Sequence, residues 1–554
     1  MRYLPTLPAI AHGFDSLRYR LRRLARQRLD SQRAGGNAAD LSMLRHYAEH
    51  FPDTGEAFQK FLRRCDLASL KEPSVKGAGQ DVGVVVVPWV ATPVPWFAVA
   101  LGIGLARRGS NVVFIWDDSA FPAPSPRLET QNSWIDRILT DVRPYFQVVR
   151  LSREQLEPPQ INDDAVLDRL VKLNLLWALR GGTPTESELA DAQQTRSHLR
   201  ETLNRIRGLL ARTAFRYLVV PGGVYGTSGL YLHVGREAGM RVATFDSGLG
   251  WSVACPDGVV THQVDVPRAF NALYQQTSPE LTEAVEAARA EYDRRSRGKD
   301  RMRYQSTRVE PTDSIDGLPR AAILIPLSVE WDSAALGRHH IFQDSTDWLV
   351  ATVGHLLEAT DAPVVIRQHP SERRELERSR FRIAALLGER FGSHPRYRFV
   401  SAEEDINTYG LLRGARLVLP YVSTIGIEAA AIGKTVIPAG CPYYGELGFT
   451  WNATSRDEYF DLIGRAMAGA LPPLPDQARK AWLCFYINAV CYRVFTHFSP
   501  QPTDFLKWCR AKPERLFATP EVEDLLIAID EDRPVPLVRH TRRTAHLAMG
   551  SGTE

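Results

Sequence analysis

A histidine–proline pair, His369-Pro370, is the first place where the chain carries residues suited to chemistry. The pair follows an apolar run at 364–366 and Arg367, a pattern typical of a strand buried on both faces. Proline cannot continue a strand ladder and restricts the preceding residue to an extended conformation, so we expect His369 to face a cleft at the strand's end. There it could donate to a phosphate oxygen or protonate a leaving group. The alternative is a structural histidine that caps the following helix or binds a backbone carbonyl.

A second pair, Ser423-Thr424, stands between an apolar run at 417–420 and an alanine-rich segment that predicts a helix. We expect Ser423 at the N-cap of this helix and Thr424 in its first turn. Unsatisfied N–H groups and the helix dipole favour an anion there, and two hydroxyls add donors for a phosphate. Gly426 belongs to the same predicted nucleotide site, and Glu428 could accept from ribose hydroxyls. The alternative is a capping motif without a ligand.

Both pairs lie where apolar runs alternate with helical segments, which predicts parallel strands joined by helices. The runs begin near 321, 364, 397, 417 and 435, and an earlier series begins near 82, 111, 146, 216 and 239. Ligands of parallel sheets bind at the carboxyl ends of strands, where both pairs fall. The expected fold class is therefore α/β and GT-B-like: two Rossmann-like parallel-sheet domains facing a cleft, with an extra helical segment at the N-terminus.

The same alternation divides the chain into predicted units. They are a helical N-terminal extension (1–79), a first Rossmann-like domain (80–300), a linker (301–318), a second Rossmann-like domain (319–475), C-terminal helices (476–512) and a frayed tail (513–554).

The first domain offers two glycine-rich strand ends as site candidates, at 221–223 and at 246–251. The second contains Asp246 and Gly248, a carboxylate at a strand end beside a residue that permits a tight turn. Asp246 is thus the best candidate for a catalytic base, with Gly248 beside the substrate. The alternative is an Asx-turn that only shapes the loop.

Acidic and basic residues also follow the first strand of the second domain, namely Glu330, Asp332 and Arg338, with a histidine pair at 339–340. Such a set suggests a metal site, but the spacing is not a known ligand pattern. We therefore expect this loop to hold a substrate over the cleft, where Arg338 would suit a carboxylate.

Composition limits the function classes. The chain has 554 residues, 44% hydrophobic and 24% charged, with a net charge of +4, so bulk nucleic-acid binding is not expected. Its six cysteines lack metal-ligand spacing, and neither a membrane span nor a signal peptide is evident, which favours the cytoplasm. The arginine-rich stretch at 16–33 could lie on an anionic membrane surface or dock on the protein itself.

The combination of VVIRQHP, VSTIGIEAAAIGKTVIPAG and YYGELGFTWNATSRDEYF resembles the bacterial capsule-polysaccharide Kdo transferases and, more distantly, bacterial sialyltransferases with HP and S(S/T) motifs. The resemblance covers mainly 321–460. It implies a CMP-activated acidic sugar as donor and requires neither a metal nor another cofactor. It further implies that His369, Ser423 and Thr424 contact the CMP phosphate, with Glu428 near the nucleotide.

The resemblance also implies that the first domain supplies the acceptor contacts and the acid–base carboxylate. The sialyltransferases carry an acidic-acidic-glycine motif there, whereas this chain has Asp246-Ser247-Gly248, with one carboxylate. The predicted nucleotide and donor contacts are Arg367, His369, Pro370, Ser423, Thr424, Gly426 and Glu428. His369 and Asp246 are the predicted catalytic residues.

The sequence thus predicts a metal-independent glycosyltransferase that transfers Kdo or a similar acidic sugar from a CMP donor. The expected acceptor is a surface polysaccharide or a lipid-linked glycan, and the protein could contact the inner membrane or capsule-assembly proteins. The alternatives are a UDP- or GDP-sugar glycosyltransferase, a nucleotide-sugar epimerase of the same fold, and a non-catalytic capsule-assembly or glycan-binding subunit.

Overall fold

The computed structural model of the protein describes residues 42–70, 81–89, 92–120, 126–157, 163–182, 184–246, 253–276, 279–299, 321–373, 378–380, 382–493 and 502–550. The predictions made for the stretch at 16–33, for the linker at 301–318 and for Gly248 fall outside these ranges.

The first sheet has the order β3-β2-β1-β4-β5-β6 and is parallel except for the last pair, β5 and β6. Its strands are β1 Asp81–Val86, β2 Val112–Trp116, β3 Gln147–Arg150, β4 Phe215–Pro221, β5 Arg241–Asp246 and β6 Val253–Cys255. Alternate valines of β1 contribute to two separate apolar clusters, one on each face of the sheet. That double burial explains why the strand is a continuous apolar run.

The second sheet is parallel and has the order β11-β10-β7-β8-β9. Its strands are β7 Ile323–Pro326, β8 Val364–Arg367, β9 Tyr397–Val400, β10 Leu417–Val418 and β11 Thr435–Val436. In both sheets the strand order reverses beside the first strand: between β1 and β4 in the first sheet, and between β7 and β10 in the second. Such switch points are where open α/β sheets form ligand crevices.

Helices cover both sheets, as the predicted alternation requires. Up to the second sheet they are α1 Ser42–Leu62, α2 Val94–Arg107, α3 Pro126–Val142, α4 Asp163–Ala178, α5 Glu186–Arg212, α6 Gly226–Glu237, α7 Asp265–Tyr274 and α8 Pro279–Ser296. From there on they are α9 Ser345–Ala359, α10 Ile383–Phe391, α11 Thr408–Gly414, α12 Ile425–Ala431, α13 Arg456–Met467, α14 Gln477–Tyr486, α15 Pro502–Trp508, α16 Pro513–Phe517, α17 Pro520–Asp530 and α18 Val535–Gly550. The fold is the GT-B-like α/β class expected from the sequence.

Two helices differ from the predicted division at residue 300. The apolar residues of α7 and α8 belong to the same cluster as β7, β8 and α12 of the second sheet. A segment assigned to the first domain by sequence therefore packs on the second.

The chain after Lys512 also differs from expectation, because it forms helices α16 to α18 in place of a frayed tail. Leu525, Leu526 and Ile529 of α17 are buried in the cluster that contains β1 and α2. Phe61 of α1 contacts Trp508 of α15, with ring centroids 4.8 Å apart. The two ends of the described chain thus pack together on the first sheet. Among the helices described here, none is long and apolar enough to cross a membrane.

Candidate functional site

A cavity of about 410 Å³ opens at the switch point of the second sheet, beyond the carboxyl ends of β7, β8 and β10. We call it the charged cavity. Trp177, on α4 of the first half, and the segment at 261–263 close its other side. The sequence-predicted residues that line it are Asp332, Arg338, Arg367, His369, Pro370, Ser423, Thr424 and Glu428.

His369 lies at the end of β8, half-buried, with Nδ1 turned back onto the chain. This nitrogen accepts the backbone N–H of Ser371 at 3.3 Å and lies 2.7 Å from the hydroxyl oxygen of the same residue. Burial, followed by the positive charge of Arg367, lowers the pKa of His369 to about 4. The ring is therefore neutral at pH 7, and its hydrogen bonds assign the proton to Nε2.

Arg367 is 2% exposed, and its guanidinium is bonded to the protein itself, so it is not a simple phosphate ligand. It donates to the carbonyl oxygens of Ser401 and Ile406 and, at 3.4 Å, to the hydroxyl of Thr408. Burial lowers the pKa of Arg367 to about 10, so it stays charged at neutral pH. Its contacts fix the loop between β9 and α11, and its charge lies beneath His369.

Ser423 and Thr424 are half-buried and end the turn that leads into α12. Thr424, not Ser423, occupies the N-cap, and within the described chain its hydroxyl makes no capping bond. The Tyr444 hydroxyl donates to the Ser423 carbonyl at 2.7 Å. A Cβ at Gly426 would lie 2.3 Å from that hydroxyl, so this glycine allows Tyr444 to approach and is not itself on the cavity wall.

Glu428 lies on α12 and is 4% exposed. Its carboxylate pairs with Arg295 of α8 at 3.2 Å, and Arg295 also contacts Glu291 at 2.8 Å. Burial by itself lowers the pKa of Arg295, but the carboxylates of Glu428 and Glu291, together with Tyr409, outweigh burial and raise that pKa. The pair ties α8 to the floor of the cavity.

Asp332 lies in the turn after β7, where it accepts the backbone N–H of Ala334 at 2.9 Å. The surrounding protein raises the pKa of its carboxyl, an effect that is limited because the side chain is open to the cleft. His262 holds this turn from the first half, with Nε2 3.0 Å from the carbonyl oxygen of Leu336. Burial and then the charge of Arg338 lower the pKa of His262 to about 4.

Asp246 ends β5 and is not among the residues that line the charged cavity. Its charge nevertheless acts on Tyr225, the residue directly before α6. Burial, followed by the negative charges of Asp246 and Asp332, raises the pKa of the Tyr225 phenol. One carboxylate from each half of the molecule therefore lies within electrostatic range of the same tyrosine.

Glu330 lies apart from the charged cavity. It lines a smaller cavity of about 40 Å³ together with Glu372 and Ser345. Burial, followed by the charge of Asp344, raises the pKa of the Glu330 carboxyl.

Sequence reasoning missed Arg493, which also lines the charged cavity. It directly follows a π-helical segment, Ile487–Tyr492, a rare conformation that is frequent at functional sites. Neither Arg338 nor Arg493 forms an ion pair with any part of the chain that the structure describes. The local sequence contains no signal for Arg493 except that it ends a long buried helix.

Further polar atoms on the cavity wall were not expected either. Buried polar atoms that lack a hydrogen-bond partner within the described ranges are the Thr261 and Ser328 hydroxyls, the Trp331 indole nitrogen and the Tyr443 hydroxyl. Because buried polar groups in proteins are nearly always bonded, we expect water or a ligand to satisfy them. Single serines, threonines and aromatics of this kind carry no sequence pattern.

Residues 266–462 match the family model described as capsule polysaccharide biosynthesis protein. The resemblance expected from the motifs is thereby confirmed for this segment, which we call the capsule-family segment. It contains the predicted donor residues, including His369 and Ser423, and leaves Asp246, Trp177 and Arg493 outside.

Solved structures give weaker likenesses. Two forms of KpsC from Thermosulfurimonas dismutans were matched. The beta Kdo 2,4 transferase is 17% identical over 49% of this chain and 87% of its own, with a TM-score of 0.32. The beta Kdo 2,7 transferase is 16% identical over 63% of this chain and 96% of its own, with a TM-score of 0.31. The UDP-GlcNAc 2-epimerase of Methanocaldococcus jannaschii is 13% identical over 73% of this chain and 97% of its own, with a TM-score of 0.25. Likenesses of this strength carry no argument about ligand or activity. A search of curated protein sequences finds no match.

The capsule-family segment and its surroundings form a site that suits an anion. Arg338 and Arg493 contribute positive charge and form no ion pair within the described ranges, His369 contributes a neutral ring, and Ser423 and Thr424 contribute hydroxyls. Guanidinium groups and hydroxyls at the edge of a parallel sheet bind phosphates and carboxylates.

Proposed function

We propose that the protein is a glycosyltransferase that moves Kdo or a similar acidic sugar from a CMP donor to a surface polysaccharide or a lipid-linked acceptor. The reaction would need no metal, because the arginines would offset the donor's charge. It would take place inside the cell, at the inner face of the cytoplasmic membrane if the acceptor is lipid-linked. The family match of residues 266–462 supports a role in capsule polysaccharide biosynthesis.

One observation carries the proposal: two arginines without an ion pair in the described chain, Arg338 and Arg493, line a cavity of about 410 Å³. Positive charge in a partly desolvated site is costly unless an anion binds beside it. A CMP-activated acidic sugar has two separate anionic groups, a phosphate and a carboxylate. We assign the sugar carboxylate to Arg338 and the phosphate to Arg493.

Leaving-group stabilisation would then come from the second sheet. As the bond between sugar and phosphate breaks, CMP departs as a phosphate monoester and gains negative charge. The Nε2–H of His369 and the hydroxyls of Ser423 and Thr424 would donate to it, and such donors act most strongly on charge that develops in the transition state. The same charge would raise the pKa of His369, so the ring could also supply a proton.

The acceptor hydroxyl needs a carboxylate to take its proton, and Asp246 and Asp332 both lie within electrostatic range of Tyr225. We assign the base to Asp246 because it belongs to the half that would hold the acceptor. Asp332 would orient the donor sugar from the other side.

The test is a donor screen on the full chain, with binding of CMP, UDP and GDP measured by calorimetry. We expect CMP to bind most tightly and CMP-Kdo to be cleaved with release of CMP in the presence of a capsule-derived acceptor. Preference for UDP or GDP would overturn the CMP donor. Binding of CMP-Kdo without any release of CMP, with a His369→Gln variant indistinguishable from the parent, would indicate a non-catalytic subunit.

A further inference from the structure

A second cavity, of about 220 Å³, lies at the switch point of the first sheet. Its walls are the residues after β1, including Trp89, and those after β4, including Tyr225 and Thr227. We call it the aromatic cavity. The glycine-rich strand end at 221–223, singled out in the sequence, lies next to it, and the proposed donor chemistry makes no use of it.

Three aromatic rings form one wall of the aromatic cavity. Tyr225 stacks on Trp177 with centroids 5.3 Å apart and on Trp89 with centroids 6.1 Å apart. Gly222 permits this arrangement: its φ is +73°, and a Cβ there would lie 2.9 Å from the Trp89 ring. The loop after β4 is therefore built to keep the Trp89 ring in place.

The polar groups of the aromatic cavity are neutral amides and hydroxyls. Asn174, Thr195 and Ser228 line it, and His198 adds a ring nitrogen. Nε2 of His198 donates to the carbonyl of Ser119, and Nδ1 is the second polar atom of the ring. Among the described lining residues there is no lysine, arginine, aspartate or glutamate. The occupant that fits is uncharged, flat on one face and rich in hydroxyl groups.

The aromatic cavity adjoins the charged cavity, because Trp177 lines both and stands between them. The Arg180 guanidinium links the two sides of the cleft, because it lies 3.7 Å from the ring centroid of Trp331 and 5.6 Å from that of Trp177. A ligand in the aromatic cavity therefore lies one aromatic ring away from the proposed donor. That position corresponds to the acceptor and not to a separate regulatory site.

We propose that the aromatic cavity binds a neutral sugar ring of the acceptor glycan, with the C–H face of the pyranose packed on Trp89 and Trp177. The role of this sugar as an acceptor rests on the proposed function, whereas the chemistry of the ligand follows from the lining of the cavity alone. Aromatic rings supply most of the apolar contact area of such a site, and the hydroxyl and amide groups around them set the orientation. The acceptor hydroxyl would then reach past Trp177 toward the charged cavity.

The test is titration of the full chain with methyl glycosides of glucose, galactose and N-acetylglucosamine, followed by saturation-transfer NMR and tryptophan fluorescence. We expect at least one glycoside to bind, Trp89→Ala to weaken it about tenfold, and Trp89→Phe to retain most of the affinity. Trp134→Ala is the matched control, since Trp134 lies on α3 and lines neither cavity. CMP affinity should change less than about twofold in Trp89→Ala.

The outcomes separate this inference from the donor proposal. If no glycoside binds, or if Trp89→Ala binds glycosides like the parent, the inference is overturned while CMP binding can stand. Binding of phosphocholine micelles that depends on Trp89, without glycoside binding, would make this a lipid site and also overturn it. If glycoside binding depends on Trp89 but the protein does not bind CMP, the sugar site is supported and the proposal of a CMP donor is overturned.

Discussion

The two switch points of this molecule have the same backbone architecture and opposite chemistry. In the second sheet the loops after β7 and β8 surround the charged cavity with Arg338, His369 and, from the C-terminal helices, Arg493. In the first sheet the loops after β1 and β4 surround the aromatic cavity with Trp89 and Tyr225. The sheets fix where a ligand can bind, and the loops decide whether it is an anion or a neutral ring.

Under the proposed function, this difference would let one cleft bind two substrates at distinct sites. A neutral sugar gains little from uncompensated guanidinium groups, and an anion gains nothing from a wall of aromatic rings without a cation. Trp177 separates the two environments and belongs to both. Substitutions on one side should therefore leave the ligand of the other side bound.

The largest expected effect concerns the carboxylate that takes the acceptor proton, because it tests which half supplies the chemistry. We expect Asp246→Asn to lower kcat by about 10²- to 10⁴-fold, the range for loss of a general base, with donor affinity unchanged. Asp332→Asn should act mainly on KM for the donor. The measurement is steady-state CMP release from CMP-Kdo with a capsule-derived acceptor.

A larger loss of kcat in Asp332→Asn than in Asp246→Asn would move the base to the second half. The two cavities would then still differ in the ligands they bind, but the half with the aromatic cavity would no longer supply the base. Asp136→Asn serves as the control, since Asp136 lies on α3 and outside both cavities.

The arginines give the next largest effect. Arg493→Gln should weaken both CMP and CMP-Kdo, and Arg338→Gln should weaken CMP-Kdo only, each by about 10- to 100-fold, as for a lost hydrogen bond to a charged group. Glycoside binding should not change in either variant. Calorimetry on both ligands measures this, with the exposed Arg390→Gln of α10 as control. Equal losses for CMP in both arginine variants would refute the assignment of Arg338 to the sugar carboxylate.

Much of the fold could be predicted because its strands are buried on both faces. Val82 to Val87 form one apolar run for that reason. The apolar residues before His369 and Ser423 likewise allowed these two residues to be placed at strand ends. The error at the C-terminus had a local cause. The prolines of this segment do not indicate a frayed tail, because Pro513 and Pro520 begin helices, where proline is favoured.

The rest of the site depends on contacts between distant parts of the chain. Arg493 reaches the same cavity as Arg338 only because α14 packs on α8 and α12. Nothing within a window of sequence shows which of the chain's arginines lack a partner. The predicted role of Arg367 as a donor contact also depended on position alone, whereas its hydrogen bonds to the Ser401 and Ile406 carbonyls appear only once β9 and α11 are in place.

The smallest expected effect tests whether the charged cavity is already electrostatically strained before a ligand binds. The pKa of His369 is about 4 in the folded protein and near 6.5 in an unfolded chain, because burial and Arg367 disfavour the charged ring. Between these two values the unfolded state binds more protons than the folded state. The contribution of His369 to the free energy of unfolding is therefore fully present above about pH 6.5 and decreases as the pH falls toward 4.

In His369→Gln this contribution disappears, so the difference in unfolding free energy between parent and variant should shrink as the pH falls from 6.5 to 4. The slope should stay below ~1.4 kcal/mol per pH unit, the limit for one proton, because the ring is partly open to the cavity. Urea titrations of both proteins at half-unit pH steps measure it, and subtracting the two curves removes the carboxylates that titrate in the same range. A constant difference across that range would mean that the His369 pKa is not depressed. Added CMP should flatten the slope, since a bound phosphate raises the pKa of His369, whereas a methyl glycoside in the aromatic cavity should not.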